Sequence, residues 1–402
     1  MPATKKMASA LSSFVRRGTA LLAQNKSSDE DGFTKASEAN LFPKVDPEVD
    51  GQDCDHDCAS CTIKYPAKFS IDEDDKLYGH VKGWATHLLV ATGKTDWVRD
   101  VEDEKGSVME AVGRAHKPLN GVSKSTMLCE VSQLIMRQKL MLSASDIPLP
   151  SSHLPPYEQP TSVLLLPAFT IIENITPKDV PDLITHVINS APTNTSPLDH
   201  KVVRSNNRQQ EPQEPQEPQE KVAAHPEETI GNGVEDSISI PAVLPFASRP
   251  CPHDALILLC SQKTRDARCG QSAPLLRREF QRHLRPLGLY RDATDERPGG
   301  VGIYFISHVG GHKYSANVMI YRRAGMGKKE VMEGANTIMT EGEEQTNGTT
   351  GEQGAGQCIW LARVRPEDCE GIIKFTVLQG KVVKPERQLR GGFDRGRGLT
   401  SW

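Results

Sequence analysis

Apolar residues along the chain gather in short runs divided by long polar stretches, and the clearest runs lie in the last third. Ala255 to Leu259 is unbroken and leads into turn chemistry, which predicts a buried strand. From Pro274 to Leu284, the residues Leu275, Leu276, Phe280 and Leu284 recur near helical spacing and predict an amphipathic helix. Val301-Gly-Ile-Tyr-Phe-Ile and Ser315-Ala-Asn-Val-Met-Ile-Tyr are β-rich, Ile359-Trp-Leu-Ala-Arg-Val follows, and Pro366 to Leu378 closes the series as a second amphipathic helix. Strand, helix, strands and helix in this order predict an α/β sandwich.

An earlier block repeats the plan. Thr92-Gly-Lys-Thr95 follows the strand Thr86 to Val90 as Ser261-Gln-Lys-Thr264 follows its own strand. Ile175-Thr-Pro-Lys-Asp-Val-Pro-Asp-Leu-Ile aligns without gaps against Val364-Arg-Pro-Glu-Asp-Cys-Glu-Gly-Ile-Ile, sharing Pro177/Pro366, Asp179/Asp368 and Ile184/Ile373. This predicts a tandem of two like units, with Ala91 standing where Cys260 stands. Proline opening an acidic helical turn is also ordinary helix-start chemistry, so convergence remains the competing explanation. The predicted organisation is a disordered basic segment at 1–45, a first unit at 46–190, a low-complexity Glu-Pro-Gln linker at 191–250, a second unit at 251–390 with a mobile insert at 333–357, and a tail at 391–402.

Length and charge narrow the functions. A chain of 402 residues holds two ordinary domains, and a net charge of -4 gives no reason to expect nucleic acid. Clusters such as Arg277-Arg278 read as solvated helix faces. No apolar run reaches membrane-span length. Nine cysteines at uneven spacing fit a reducing compartment with metal ligands, and hence the cytoplasm, better than a secreted disulfide framework. The first 28 residues lack acids and carry Lys5, Lys6, Arg16 and Arg17 among Ser, Ala, Leu11, Phe14 and Val15. That composition suits a mitochondrial presequence and a disordered basic tail equally.

The chemistry concentrates in two pairs, Cys260 and Cys269 with eight residues between them, then His308-Val-Gly-Gly-His312. Two thiols and two imidazoles make a site for zinc or for an iron-sulfur cluster. The common zinc finger keeps its cysteines two to four residues apart and its histidines on one helix, unlike this spacing. Gly310 and Gly311 predict a turn, and the β-rich flanks predict a hairpin whose loop presents both imidazoles to one point. Cys251, beside Pro252, is a substitute ligand or a structural residue, and Lys263, Arg265 and Arg268 read as thiolate stabilisers, a docking surface for an acidic partner, or a solvated loop. Cys54-x3-Cys58-x2-Cys61 formally matches a radical S-adenosylmethionine spacing; zinc binding with His56 and plain reduced thiols are the better readings. Thr92-Gly-Lys-Thr95 lacks the upstream glycine of a phosphate loop, and Cys129, Cys358 and Cys369 read as core or surface residues.

The stretch Leu256-Ile-Leu-Leu-Cys-Ser-Gln-Lys-Thr-Arg-Asp-Ala-Arg-Cys-Gly, the His308 to His312 motif, and Gly83-Trp-Ala-Thr-His-Leu-Leu-Val-Ala-Thr-Gly-Lys-Thr-Asp-Trp resemble the fungal sucrase/ferredoxin-like family over roughly residues 50–402. The resemblance implies a thioredoxin-like ferredoxin in the C-terminal unit and, with the repeat, tandem thioredoxin-like domains. It implies a 2Fe-2S cluster on Cys260, Cys269, His308 and His312, and an electron carrier or redox sensor that works with a redox partner protein. Two imidazoles in place of thiolates leave such a site less negative, so adding an electron costs less than in an all-cysteine ferredoxin. A zinc-binding interaction module on the same four residues is the alternative. A hydrolase, as the family name has it, is the third reading, and no paired-carboxylate pattern supports it. The terminal Leu399-Thr-Ser-Trp402 resembles the signal by which iron-sulfur assembly factors recognise clients.

Overall fold

Thirteen strands join into one sheet in the computed structural model of the chain, which describes residues 33–116, 139–150, 153–155, 157–198, 246–326 and 354–402. β1 (Thr34–Lys35) forms one edge. β2 (Thr86–Ala91) runs parallel to β3 (Leu140–Ser145) and antiparallel to β4 (Thr161–Leu166), which pairs antiparallel with β5 (Thr170–Ile175). β6 (Ser248–Pro250) lies beyond β5. In the second half, β7 (Ala255–Cys260) has the short β8 (Tyr290–Arg291) as a next-but-one neighbour, because β9 (Val301–Ile306) pairs in parallel with both. β10 (Val318–Arg323) is antiparallel to β7, and β11 (Ala355–Leu361) is antiparallel to β10. β12 (Leu389–Asp394) and β13 (Leu399–Thr400) carry the sheet on to β1. The order β3-β2-β4-β5 thus recurs as β9-β7-β10-β11, and the two sets meet where Ser145 faces Ile306.

Parallel neighbours need a crossover, and each half has a helix there. α1 (Val108–His116) lies between β2 and β3, and α2 (Ala267–Leu284) between β7 and β9. Each half then ends in the same three-part helix. In 177–188 and in 366–377 a tight 3-10 turn gives way to one α turn and then to a wider π segment. Both begin with proline, and the third-residue aspartate accepts from the backbone N–H just ahead, Thr176 to Asp179 at 2.8 Å and Arg365 to Asp368 at 2.7 Å. The architecture is mixed α/β with a large sheet and few helices, and all described residues belong to one compact unit.

Layering explains why β7 reads as unbroken hydrophobicity. Ala255, Ile257 and Leu259 pack into the core under α2 and 366–377, whereas Leu256 and Leu258 pack into the opposite one with Trp84, Tyr304 and Trp360.

Several expectations need correction. The helix expected from Pro274 starts at Ala267, where Asp266 caps it by accepting from the Arg268 N–H, and Pro274 sits inside it. The runs on either side of the His308 to His312 turn are not hairpin partners, because both pair with β7 from opposite sides. Residues 33–45, expected within a disordered segment, supply β1 and the buried Phe33, Leu41 and Phe42. The tail expected at 391–402 instead supplies most of β12 and all of β13. The presequence-like residues 1–28, most of the 191–250 linker, the insert up to 353, and Cys129 lie outside the described residues.

Candidate metal centre

Topology brings the predicted ligands together. Cys260 ends β7, Cys269 lies in the first turn of α2, and the chain between β9 and β10 must cross the end of β7, which carries His308 over Cys260. One donor atom each from Cys260, Cys269 and His308 lies within 4.8 Å of the others. Cys260 Sγ stands 4.0 Å from His308 Nδ1. His312 is outside that trio, with its ring centroid 5.3 Å from that of His308. Both sulfurs are buried, His308 is half-buried and His312 is exposed.

The two thiols are not equivalent. The Cys269 thiol is lowered to about 5, chiefly because it accepts from Cys260, with His308 and the Ser315 hydroxyl, 3.5 Å away, adding to the effect against burial. Cys260 is pushed up for the complementary reason and by burial.

Four residues with no linear signature hold the histidine turn. Gln262 Oε1 accepts from the His308 N–H at 2.8 Å, and Asn317 Nδ2 donates to the Gly311 carbonyl at 3.1 Å. Arg390 Nη1 donates to the Gly310 carbonyl and to Asn317 Oδ1, both at 2.8 Å, while its guanidinium lies 4.3 Å from the Trp360 ring centroid. Gly311 has φ of 65°, and a Cβ there would stand 2.5 Å from the Arg390 guanidinium, so glycine is required twice over. Ser315 is the fourth, donating to the His312 carbonyl at 2.8 Å. Arg390 is buried, which pulls its pKa down to about 10.

Other candidates fare differently. Arg265 pairs with Asp100 at 2.5 Å and Arg268 with Asp266 at 2.9 Å, so both charges are engaged within the chain. Lys94, of the phosphate-loop fragment, pairs with Glu104 at 2.6 Å. Cys54 packs with Val45, Phe375 and Val383, and the Cys61 thiol donates to the Ile63 carbonyl at 3.3 Å, while Cys58 lies near His283, so the three cysteines do not share a point. His56 is engaged by Asp53 at 3.1 Å. Cys251, Cys358 and Cys369 are buried core residues. The terminal Trp402 ring packs against Trp84, with centroids 4.5 Å apart, over Gly83.

The fold and site define a mixed α/β protein whose large sheet repeats one strand order and gathers cysteine and histidine donors at the end of β7. The chain belongs to the sucrase/ferredoxin-like family, which it matches over residues 77–391. It is 28% identical over 367 residues to "Actin patches distal protein 1" of Saccharomyces cerevisiae, covering 88% of this chain and 89% of that protein. It is also 30% identical over 131 residues to "Altered inheritance of mitochondria protein 32" of Meyerozyma guilliermondii, and 33% identical over 129 residues to the protein of that name in Debaryomyces hansenii, matches that span 33% of each relative and 33% and 32% of this chain. No solved structure matches the chain.

Proposed function

We propose that the protein is a one-electron carrier or redox sensor that holds a 2Fe-2S cluster on Cys260, Cys269, His308 and His312. The observation that carries this reading is the convergence of Cys260, Cys269 and His308 donor atoms at the end of β7, with His312 beside them. The donor set fits the group, since two buried sulfurs, one already an acidic thiol, face two imidazoles on the solvent side. When bound, the cluster supplies a one-electron couple whose charge is less negative than with four thiolates. The chain does the rest. Burial of Cys260 and Cys269 keeps water from the sulfurs, and Arg390, Asn317 and Gln262 fix the turn that orients both imidazoles.

The fold reading goes with it. A parallel pair with a helical crossover, an antiparallel pair and a closing helix in each half support tandem thioredoxin-like units, the second a ferredoxin and the first a cluster-free copy with Ala91 at the Cys260 position. Eight described cysteines are free thiols, which supports a cytoplasmic site of action in exchange with a redox partner protein. Iron and acid-labile sulfide analysis of anaerobically purified protein, with its visible spectrum, tests the reading. Two irons and two sulfides per chain with visible absorption are expected. Colourless protein holding zinc in the same ligands would replace the carrier with a structural module.

A further inference from the structure

Residues 51–85 form no helix or strand, and such a long irregular stretch needs anchors to stay on the surface of a fold. One anchor is a group of side chains far along the chain from the first site. Cys58, His283 at the end of α2, and Glu370 in the closing helix place one donor atom each within 4.8 Å of one another. Cys58 Sγ is 3.8 Å from His283 Nε2. Zinc–sulfur and zinc–nitrogen bonds at a tetrahedral angle set those two atoms roughly 3.5 Å apart, so little movement is required.

A second observation points the same way. Glu279, one turn before His283, is fully buried, and its Oε1 has no hydrogen-bond partner. Its Oε2 lies 3.5 Å from His283 Nε2. A buried carboxylate oxygen without a donor is costly unless a cation lies near. Here the cation is Arg282. Its Nε donates to Glu279 Oε2 at 2.7 Å, and its Nη2 stands 2.9 Å from His283 Nε2 and 3.6 Å from Cys58 Sγ. Nη1 contacts Ser60 Oγ at 3.2 Å. The guanidinium therefore occupies the position that the surrounding sulfur, nitrogen and carboxylates prepare for positive charge.

We propose that Cys58, His283 and Glu370 form a zinc(II) site, with the Glu279 carboxylate completing it, and that zinc and Arg282 compete for this position. On binding, Cys58 loses its thiol proton to solvent and Arg282 swings out, keeping Ser60 as a partner. Mixed sulfur, nitrogen and oxygen donors without an open redox role suit zinc, and the site ties the 51–85 stretch to α2 and the closing helix. The proposal is independent of what the Cys260 site holds.

Elemental analysis of the purified full-length protein and zinc titration against a fluorescent chelator test it. Cys58→Ser and His283→Ala should each remove about one equivalent of zinc, whereas Cys260→Ser should leave that equivalent in place. Arg282→Gln, which removes the competing cation without touching a ligand, should tighten zinc binding about tenfold or more. Zinc content unchanged in Cys58→Ser, or lost only in Cys260→Ser, overturns the site. Should Cys58→Ser fail to fold, an unaltered zinc affinity in Arg282→Gln overturns it equally.

Discussion

The two halves share a strand order and a closing helix of identical make-up, yet among the described residues only the second gathers cysteine and histidine donors at the end of its central strand. Where β7 ends in Cys260, β2 ends in Ala91; nine residues on, Cys269 has Asp100 as its counterpart; two residues past β9 stands His308, and past β3 stands Ile147. The scaffold is therefore separable from the site. The first half is not idle, however, because its loop after β2 faces the equivalent loop after β7. Ser261 donates to the Thr95 carbonyl at 2.7 Å, Thr264 to Asp96 at 2.8 Å, and Gln262 Nε2 to the Val98 carbonyl at 2.5 Å. Through its other amide atom Gln262 holds the His308 backbone, so the ligand-free half buttresses the ligand-bearing one.

The largest effect should come from removing ligands on one side only. Cys260→Ser or Cys269→Ser should reduce bound iron from stoichiometric to background, measured by elemental analysis. Ala91→Cys should add none, since Ile147 offers no donor atom and the Asp100 carboxylate is paired with Arg265. Iron acquired by Ala91→Cys would mean that the halves are closer in chemistry than their sequences indicate.

Next comes the histidine turn, for which the first half has no match in sequence. Arg390→Met should cost roughly 2 kcal/mol in urea unfolding, because charged hydrogen bonds to the half-buried Gly310 carbonyl and to the buried Asn317 are lost and the Asn317 oxygen stays buried. Gly311→Ala should also destabilise, through the clash with the same guanidinium and the positive φ.

Much of this was legible in the sequence, and the gaps have physical causes. The β7 run, the turn glycines and the gapless helix alignment could be read because each is a local pattern of burial or capping. The start of α2 was missed because Pro274 normally opens helices, whereas here Asp266 does so eight residues earlier. β12 was missed because Gly391 and Gly392 look like a loop. Gly392 is glycine because β12 passes so close to β11 that any side chain would strike the Cys358 carbonyl. Arg390, Asn317 and Gln262 act only through tertiary contacts, and no spacing announces them.

Acid should weaken the sheet from both halves. His87 in the first half, bonded to the Tyr321 hydroxyl at 3.1 Å and Ser143 at 2.9 Å, is held down to about 3 by burial, and His253 in the second is held to about 4, also by burial first. An unfolded histidine titrates near 6.5. Between these values the unfolded chain binds the proton and the folded chain does not, so stability is full above about pH 6.5 and falls as pH drops towards 4 and 3. Each residue contributes up to about 1.4 kcal/mol per pH unit in that window. Urea midpoints at pH 7, 6 and 5 should decline together by far-UV and tryptophan signals, because one sheet joins the halves. Separate transitions would show that they unfold as independent domains.

The smallest effect bears most directly on the buttress. Gln262→Ala removes the bonds to Val98 and to the His308 N–H, worth roughly 1 kcal/mol in total stability once water replaces part of them. Ser261→Ala breaks a neighbouring bond between the halves but leaves the His308 turn untouched. The two variants should therefore differ little in urea midpoint yet diverge in metal retention. Gln262→Ala should lose iron to a chelator several-fold faster than wild type, while Ser261→Ala should match it. Equal rates in both would mean that the first half steadies the fold as a whole and not the ligand turn, because the His308 backbone would then be held without Gln262.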